Sequence, residues 1–152
     1  MRSLRTLHDG ADYHVTSKID HDDMSLLEPQ FKALFLSFVK KAKRKFHFRL
    51  WDLCVMGNHI HFLIKPGEGG TLSEIMQWIK RNFAKSWNKA QGRKGHVWGE
   101  RFYSCIIKGM VTFLRVREYI AENPVKAGIA ERAAERVREL VSATCFASRL
   151  LK

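Results

Sequence analysis

The sequence predicts an α+β fold in which helices pack on an antiparallel sheet. Three observations support it: short alternating segments typical of strands, two long segments with apolar residues at helical spacing, and their order β-α-β-β-α-β-α. Four strands with two helices between them are typical of a ferredoxin-like sandwich. We expect a four-stranded antiparallel sheet with both long helices on one face and a later helix near the other.

The first strand is predicted over residues 11–19, where apolar and polar side chains alternate. The first helix is predicted from Pro29, which suits a first helical turn, to Phe46. Its last turns carry more cations than the helix dipole needs, so contact with phosphate is an alternative to a purely structural role. Those cations are Lys40, Lys41, Lys43, Arg44 and Lys45.

An antiparallel hairpin is predicted next, because two strand-like segments, residues 47–56 and 58–65, are joined by a short turn. Thr71 and Glu74 have the spacing of a capping box, which predicts the start of the second long helix. Apolar residues then recur at helical spacing as far as Trp87.

The fourth strand falls within residues 97–108, and a further helix is predicted from about Val111 to Glu122. Pro124 is expected to end that helix, because proline lacks the N–H that a helix interior needs. Residues 131–152 are predicted as a helical C-terminal tail, and residues 1–152 as a single domain, since no linker or repeat interrupts them.

Charge is the strongest signal in the composition. The chain has 27 Lys and Arg against 15 Asp and Glu, a net charge of +12. A domain this basic usually binds a polyanion, and the aromatic residues among the charges favour nucleic acid over a basic surface kept for solubility.

The composition also indicates the compartment. No apolar run approaches the roughly 20 residues of a membrane span, and the N-terminus lacks the apolar core of a signal peptide. Cys54, Cys105 and Cys145 are widely spaced, which favours reduced thiols over a disulfide framework or a cysteine zinc site. We therefore expect a cytoplasmic, nucleoid-associated protein without membrane contact.

The third predicted strand carries a candidate metal site. Residues two apart share one face of a strand, so His59 and His61 project together while Ile60, Phe62 and Ile64 form the opposite, apolar face. Two imidazoles on a stiff backbone can hold one divalent metal ion. An exposed pair of strand histidines without a ligand is the alternative interpretation.

A metal in such a site can polarise a phosphate oxygen, and bond cleavage then needs a nucleophile. The chain has three tyrosines, Tyr13, Tyr103 and Tyr119. Asn123 lies one helical turn after Tyr119, so its amide oxygen could be a third metal ligand, although Pro124 disfavours helical geometry there. Ordinary packing is the alternative role for Tyr119, since an unperturbed tyrosine is a poor nucleophile.

Four segments in unbroken order resemble motifs of the single-tyrosine, IS200/IS605-like transposases. The stretch around His59 to His61 resembles their His-hydrophobic-His strand, and Tyr13 to Thr16 resembles their first strand. Trp98 to Phe102 and Tyr119 to Gly128 are similar to motifs of the branch called REP-associated tyrosine transposases. The resemblance covers about residues 11–130 and does not extend to the tail.

The resemblance implies a metal-dependent enzyme that cuts and rejoins single-stranded or hairpin DNA. His59 and His61 would bind Mg²⁺ or Mn²⁺, and Asn123 stands where the family places a polar helper ligand. Tyr119 would attack a DNA phosphate, giving a 5′-phosphotyrosine link and a free 3′-hydroxyl, and a 3′-hydroxyl would later resolve the link. Relatives include monomers and homodimers, so either is expected here.

A DNA-binding surface is predicted beside this site, on the polar face of the second helix and in the segment after it. The aromatic side chains there could stack unpaired bases, with packing as the alternative. The predicted residues are Lys80, Arg81, Lys85, Trp98 and Arg101.

Two other classes of function compete with the enzyme. One is a domesticated relative that binds hairpin DNA or RNA without cutting it, although a binder would need neither the tyrosine nor the histidine pair. The other is a metal-sensing or structural protein, which should unfold when its metal is lost. Replacing Tyr119 with Phe would leave the function of a binder unchanged.

Overall fold

The protein is described here from a computed structural model covering residues 7–8 and 10–126. The predicted tail, residues 131–152, lies outside the described residues. The strands and α-helices in chain order are β1 (Asp12–Lys18), α1 (Pro29–Phe46), β2 (Arg49–Val55), β3 (His59–Lys65), α2 (Leu72–Ala90), β4 (Tyr103–Ile107) and α3 (Met110–Lys126). Two short 3-10 helices, Asp20–Asp22 and Ser25–Leu27, lie between β1 and α1.

The four strands form one antiparallel sheet in the order β2-β3-β1-β4, which confirms the predicted ferredoxin-like arrangement. The central strands pair so that Thr16 lies opposite His61 and Lys18 opposite His59. The predicted strand and helix positions agree with the structure to within a few residues, and α1 begins and ends as predicted.

The main core lies between one sheet face and helices α1 and α2. Ile60, Phe62 and Ile64 of β3 are fully buried there, as the alternating pattern predicted. Phe35 of α1 meets Phe62 and Phe83 edge to face, with ring centroids 6.2 and 5.5 Å apart, which favours a single packing of both helices.

Helix α2 begins at the predicted capping box. Thr71 Oγ1 accepts a hydrogen bond from the Glu74 backbone N–H, and the Glu74 carboxylate accepts one from the Thr71 backbone N–H. The Thr71 backbone N–H, together with the Thr71 hydroxyl that donates to the same carboxylate at 2.9 Å, holds the pKa of the Glu74 carboxyl below its ordinary value. The box fixes where α2 starts, and the apolar residues at helical spacing decide which of its faces packs on the sheet.

Helix α3 covers part of the other sheet face, as predicted. Leu63, Ile107 and Ile120 are buried in a small second cluster between the sheet and this helix. The histidines of β3 lie on this second face. It is less fully covered than the first, so a cleft remains beside α3.

The prediction that Pro124 ends α3 is wrong. The helix continues to Lys126, with Pro124 inside it and Asn123 in helical conformation. A proline inside a helix removes one backbone hydrogen bond, and here its ring is buried.

None of the described helices is long and apolar enough to span a membrane. Cys54 is buried and Cys105 half-buried, and both are free thiols.

Candidate functional site

An open cleft of about 610 Å³ lies beside α3 on the second sheet face. Strands β1, β3 and β4, helix α3 and the segment before β4 all contribute side chains to it. His59, His61 and Tyr119, which the sequence singled out separately, all line this cleft.

The segment before β4 reaches the cleft because it continues the sheet past the end of β1. Trp98 forms an isolated bridge with Ile19, and the Asp20 N–H donates to the Val97 carbonyl at 2.8 Å. The Gly99 N–H donates to the Lys18 carbonyl at 3.2 Å. These bonds place the next two residues, Glu100 and Arg101, in the cleft lining.

His59 is half-buried at the start of β3 and is held by its neighbour. Its Nδ1 lies 2.7 Å from the Asn58 Oδ1. Because an amide oxygen can only accept, His59 Nδ1 carries the proton. Burial lowers the pKa of His59 below its ordinary value of 6.5, and the positive charge of Lys18 across the strand pair lowers it further. Both effects disfavour the protonated form of the His59 ring.

His61 is only 4% exposed, and its partner is a histidine that the sequence reasoning gave no role. His61 Nδ1 lies 3.1 Å from Nε2 of His14 on β1. Burial lowers the pKa of His14 below 6.5, which disfavours the protonated form of this ring as well. The alternation of β1 places His14 on the cleft face, but only the strand register brings it to His61.

Tyr119 projects from α3 onto the two paired histidines. Its ring centroid lies 5.8 Å from that of His61 and 6.0 Å from that of His14, both edge to face, and the side chain is 46% exposed. Tyr103 also lines the cleft and is 65% exposed. Tyr13 is buried on the opposite face, where its hydroxyl donates to the His8 carbonyl at 3.0 Å. Two tyrosines thus remain as candidate nucleophiles, and Tyr119 contacts the histidines.

Asn123 does not line the cleft. Its amide Nδ2 donates to the backbone carbonyl of Tyr119 at 3.1 Å, one turn back along α3. The structure therefore does not bring Asn123 to the histidines, and its role as a metal ligand stays a prediction. Within residues 7–8 and 10–126, no group of three or more His, Cys, Asp and Glu side chains is positioned to hold a metal ion.

A metal ion fits the donor chemistry of the histidine pair. The rings of His59 and His61 lie 5.0 Å apart, and the Nδ1 of each contacts a fixed partner, Asn58 or His14. Metal-binding histidines usually have their second nitrogen fixed in this way, because it sets the tautomer and the ring orientation. If a metal ion bound here, Nε2 of each ring would be the nitrogen left to coordinate it.

A second cleft of about 480 Å³ lies between α2 and the segment before β4, and most of the predicted DNA-binding residues meet there. Lys80, Arg81, Trp98 and Arg101 line it, whereas Lys85 is exposed on α2 outside it. Arg101 lines both clefts, so the two surfaces are continuous.

Trp98 is mainly a packing residue. Its ring lies 6.1 Å from Phe35 and 5.6 Å from Phe83, and its Nε1 donates to the Lys80 carbonyl at 3.0 Å. The Lys80 ammonium lies 5.1 Å from the Trp98 ring centroid and donates to the Glu100 carbonyl. This arrangement fixes the segment that carries Arg101.

The sequence was compared with models of known protein families. The family model described as "Transposase IS200 like" matches residues 11–123, most of the chain. The chain belongs to the IS200-like transposase family. In this transposase-family member the matched region includes all the described strands and both clefts, and it ends at Asn123 on α3.

The transposase-family chain is also similar to individual proteins. It is 24% identical over 107 residues to a Haemophilus influenzae protein assigned as a REP-associated tyrosine transposase, over 64% of this chain. It spans 61% of the length of that relative.

Two solved structures share the fold. One, of a REP-associated tyrosine transposase bound to a REP hairpin, has a TM-score of 0.74 and 22% identity, covering 89% of this chain and 79% of that one. The other, assigned as a Deinococcus radiodurans transposase, has a TM-score of 0.55 and 15% identity, covering 79% and 95%. At these low sequence identities, the two structures show a shared fold and nothing more.

Proposed function

We propose that this chain cuts and rejoins single-stranded DNA through a covalent link to Tyr119, as a REP-associated tyrosine transposase. The observation that carries the proposal is the contact of the Tyr119 ring with His61 in the cleft that also contains His59. A nucleophile and two imidazoles in one open cleft, which Lys18 and Arg101 also line, suit phosphoryl transfer.

The residues would act in a defined order. The Tyr119 phenolate oxygen attacks the scissile phosphorus, after its proton has passed to solvent. A bond forms between the tyrosine oxygen and phosphorus while the bond from phosphorus to the 3′ oxygen breaks. The 3′ oxygen leaves and takes a proton, giving a 3′-hydroxyl and a 5′-phosphotyrosine link. Attack by a 3′-hydroxyl on that link reverses the step and restores Tyr119.

His59 and His61 would hold Mg²⁺ or Mn²⁺ through Nε2. When bound, such an ion supplies positive charge at the phosphate oxygens, where negative charge builds up during the transfer. Neutral histidines serve this role because a protonated imidazole cannot coordinate, and the lowered pKa of His59 keeps that ring available.

The substrate we propose is DNA that contains a hairpin beside a single strand. The structural relative bound to a REP hairpin supports this choice, as does the net charge of +12. Arg101 belongs to both clefts, so DNA held against α2 can continue into the cleft of Tyr119.

The experiment is incubation with end-labelled hairpin DNA that carries single-stranded flanks, in Mg²⁺ or Mn²⁺, followed by denaturing electrophoresis. We expect a covalent protein–DNA adduct that EDTA prevents and that fully duplex DNA does not form. Tight binding of the hairpin without any adduct in either metal would instead identify a DNA-binding protein that does not cut.

The proposed DNA surface gives a separate prediction. Replacing Arg81, Lys85 and Arg101 with Gln should weaken hairpin binding and lower its dependence on salt, because each lost phosphate contact lowers the slope of log K against log salt by roughly 0.7 to 0.9. Binding titrations at several salt concentrations measure that slope.

A matched control removes the same charge elsewhere. Lys41, Arg44 and Lys45 are exposed in the last turns of α1, and their change to Gln should leave the slope nearly unchanged. The reverse result, with the slope falling only in the α1 variant, would place the binding surface on α1.

A further inference from the structure

His14 lies on the same sheet face as His61, beside the cleft rather than among the residues that line it, and the proposed chemistry gives it no part. It sits on the central strand β1, opposite Leu63 of β3 and Cys105 of β4, and its side chain is half-buried. Leu63 belongs to the apolar cluster under α3. An imidazole beside such neighbours loses hydration, so its polar atoms need partners within the protein.

The partner that His14 has is a proposed metal ligand. Its Nε2 lies 3.1 Å from His61 Nδ1, with the ring centroids 5.4 Å apart and the ring planes within 9° of each other. Nearly coplanar rings with nitrogens in contact are the geometry of an in-plane hydrogen bond, in which one ring donates and the other accepts.

The same imidazole also contacts Tyr119. The two ring centroids are 6.0 Å apart, at an angle of 79° between the planes. Since Tyr119 meets His61 in the same way, at 5.8 Å and 83°, the three rings form a mutually contacting group. A substitution of His14 would therefore alter the surroundings of both His61 and Tyr119.

We propose that His14 is a positioning residue, which accepts a hydrogen bond from His61 Nδ1 and so fixes the tautomer and the orientation of the His61 ring. The inference deepens the proposed function, because the fixed tautomer is the one whose Nε2 can coordinate a metal ion. His14 itself contacts neither metal nor DNA in this role. The contact with Tyr119 extends the same positioning to the nucleophile.

Two polar substitutions separate this role from simple space filling. The amide group of Gln reaches about as far as Nε2 of histidine, whereas that of Asn reaches only as far as Nδ1. Because Nε2 of His14 is the atom that contacts His61, His14→Gln should preserve the hydrogen bond and His14→Asn should lose it. Thr16→Val is the matched control, since Thr16 lies on the same strand, directly opposite His61.

The first measurement uses the metal-free protein and does not depend on DNA cleavage. Long-range ¹⁵N–¹H NMR correlations of labelled histidines report which nitrogen of His61 carries the proton. We expect the Nδ1–H tautomer in the unmodified protein, in His14→Gln and in Thr16→Val, and a mixture of tautomers in His14→Asn.

The second measurement is Mn²⁺ affinity, followed by the loss of the free-ion paramagnetic resonance signal. Loss of a partner that orients a metal ligand typically weakens binding by roughly 10- to 100-fold, so we expect that loss in His14→Asn and recovery in His14→Gln. Equal tautomers and equal affinities in the Gln and Asn variants would overturn the positioning role. If His14→Asn changes the His61 tautomer but the unmodified protein forms no DNA adduct, the positioning role of His14 is supported and the proposed function is wrong.

Discussion

Tyr119→Phe will eliminate the covalent protein–DNA adduct while leaving the fold and the hairpin affinity nearly unchanged. The substitution removes one hydroxyl group and keeps the ring, so the edge contacts at 5.8 Å with His61 and 6.0 Å with His14 are retained. The lost oxygen is the proposed nucleophile, and without it no covalent link can form. Denaturing electrophoresis with end-labelled DNA measures the adduct, and a binding titration measures the affinity.

Tyr103→Phe is the matched control for this prediction. Tyr103 lines the same cleft and is more exposed than Tyr119, at 65% against 46%, but it begins β4 rather than lying on α3. We expect the Tyr103 variant to form the adduct at a normal rate. An adduct that persists in Tyr119→Phe, or that peptide mapping places on Tyr103, would show that the nucleophile is assigned to the wrong tyrosine.

Much of the framework around these residues follows from local sequence rules. The period-two pattern of β3 places Ile60, Phe62 and Ile64 in the main core and both histidines on the opposite face, as observed. The capping box fixes the start of α2 through bonds within four residues of chain. Such features are predictable because the atoms that decide them are close in sequence.

The contacts that assemble the site depend on distant parts of the chain instead. His14 meets His61 only because β1 and β3 pair in one register, with Thr16 opposite His61, and a shift by one residue would turn His14 to the other face. Arg101 reaches the cleft because the segment after α2 pairs with the end of β1 through Trp98. Neither pairing can be predicted from local residue patterns, because the paired segments are far apart in sequence.

The error at Pro124 has a different origin. The rule that proline ends a helix rests on the lost hydrogen bond and on the clash of the ring with the preceding turn, yet α3 continues through Pro124, whose ring is buried. Asn123 is helical, and its side chain donates to the Tyr119 carbonyl. The position predicted for a metal ligand therefore contacts the backbone of the nucleophile's own helix.

The second large effect is expected from the histidine pair. His59→Ala combined with His61→Gln should slow DNA cleavage by at least about 10²-fold, the usual cost of losing one group that stabilises charge in the transition state. Hairpin affinity should change little, because most affinity comes from phosphate contacts made by cations elsewhere. Gln at position 61 keeps most of the buried volume, since His61 is 4% exposed and alanine would leave a cavity.

His21→Asn is the control for loss of an imidazole from this cleft. His21 lines the cleft but its side chain is 89% exposed, and its backbone has a φ of 56°, a left-handed conformation that asparagine tolerates. Single-turnover cleavage in Mg²⁺ and hairpin titration should both be normal for this variant. Cleavage at the unmodified rate by the His59 and His61 double variant would rule out the metal site. If cleavage and hairpin affinity fell together, the histidines would contribute to DNA binding, and the assignment of affinity to the cationic surface would be wrong.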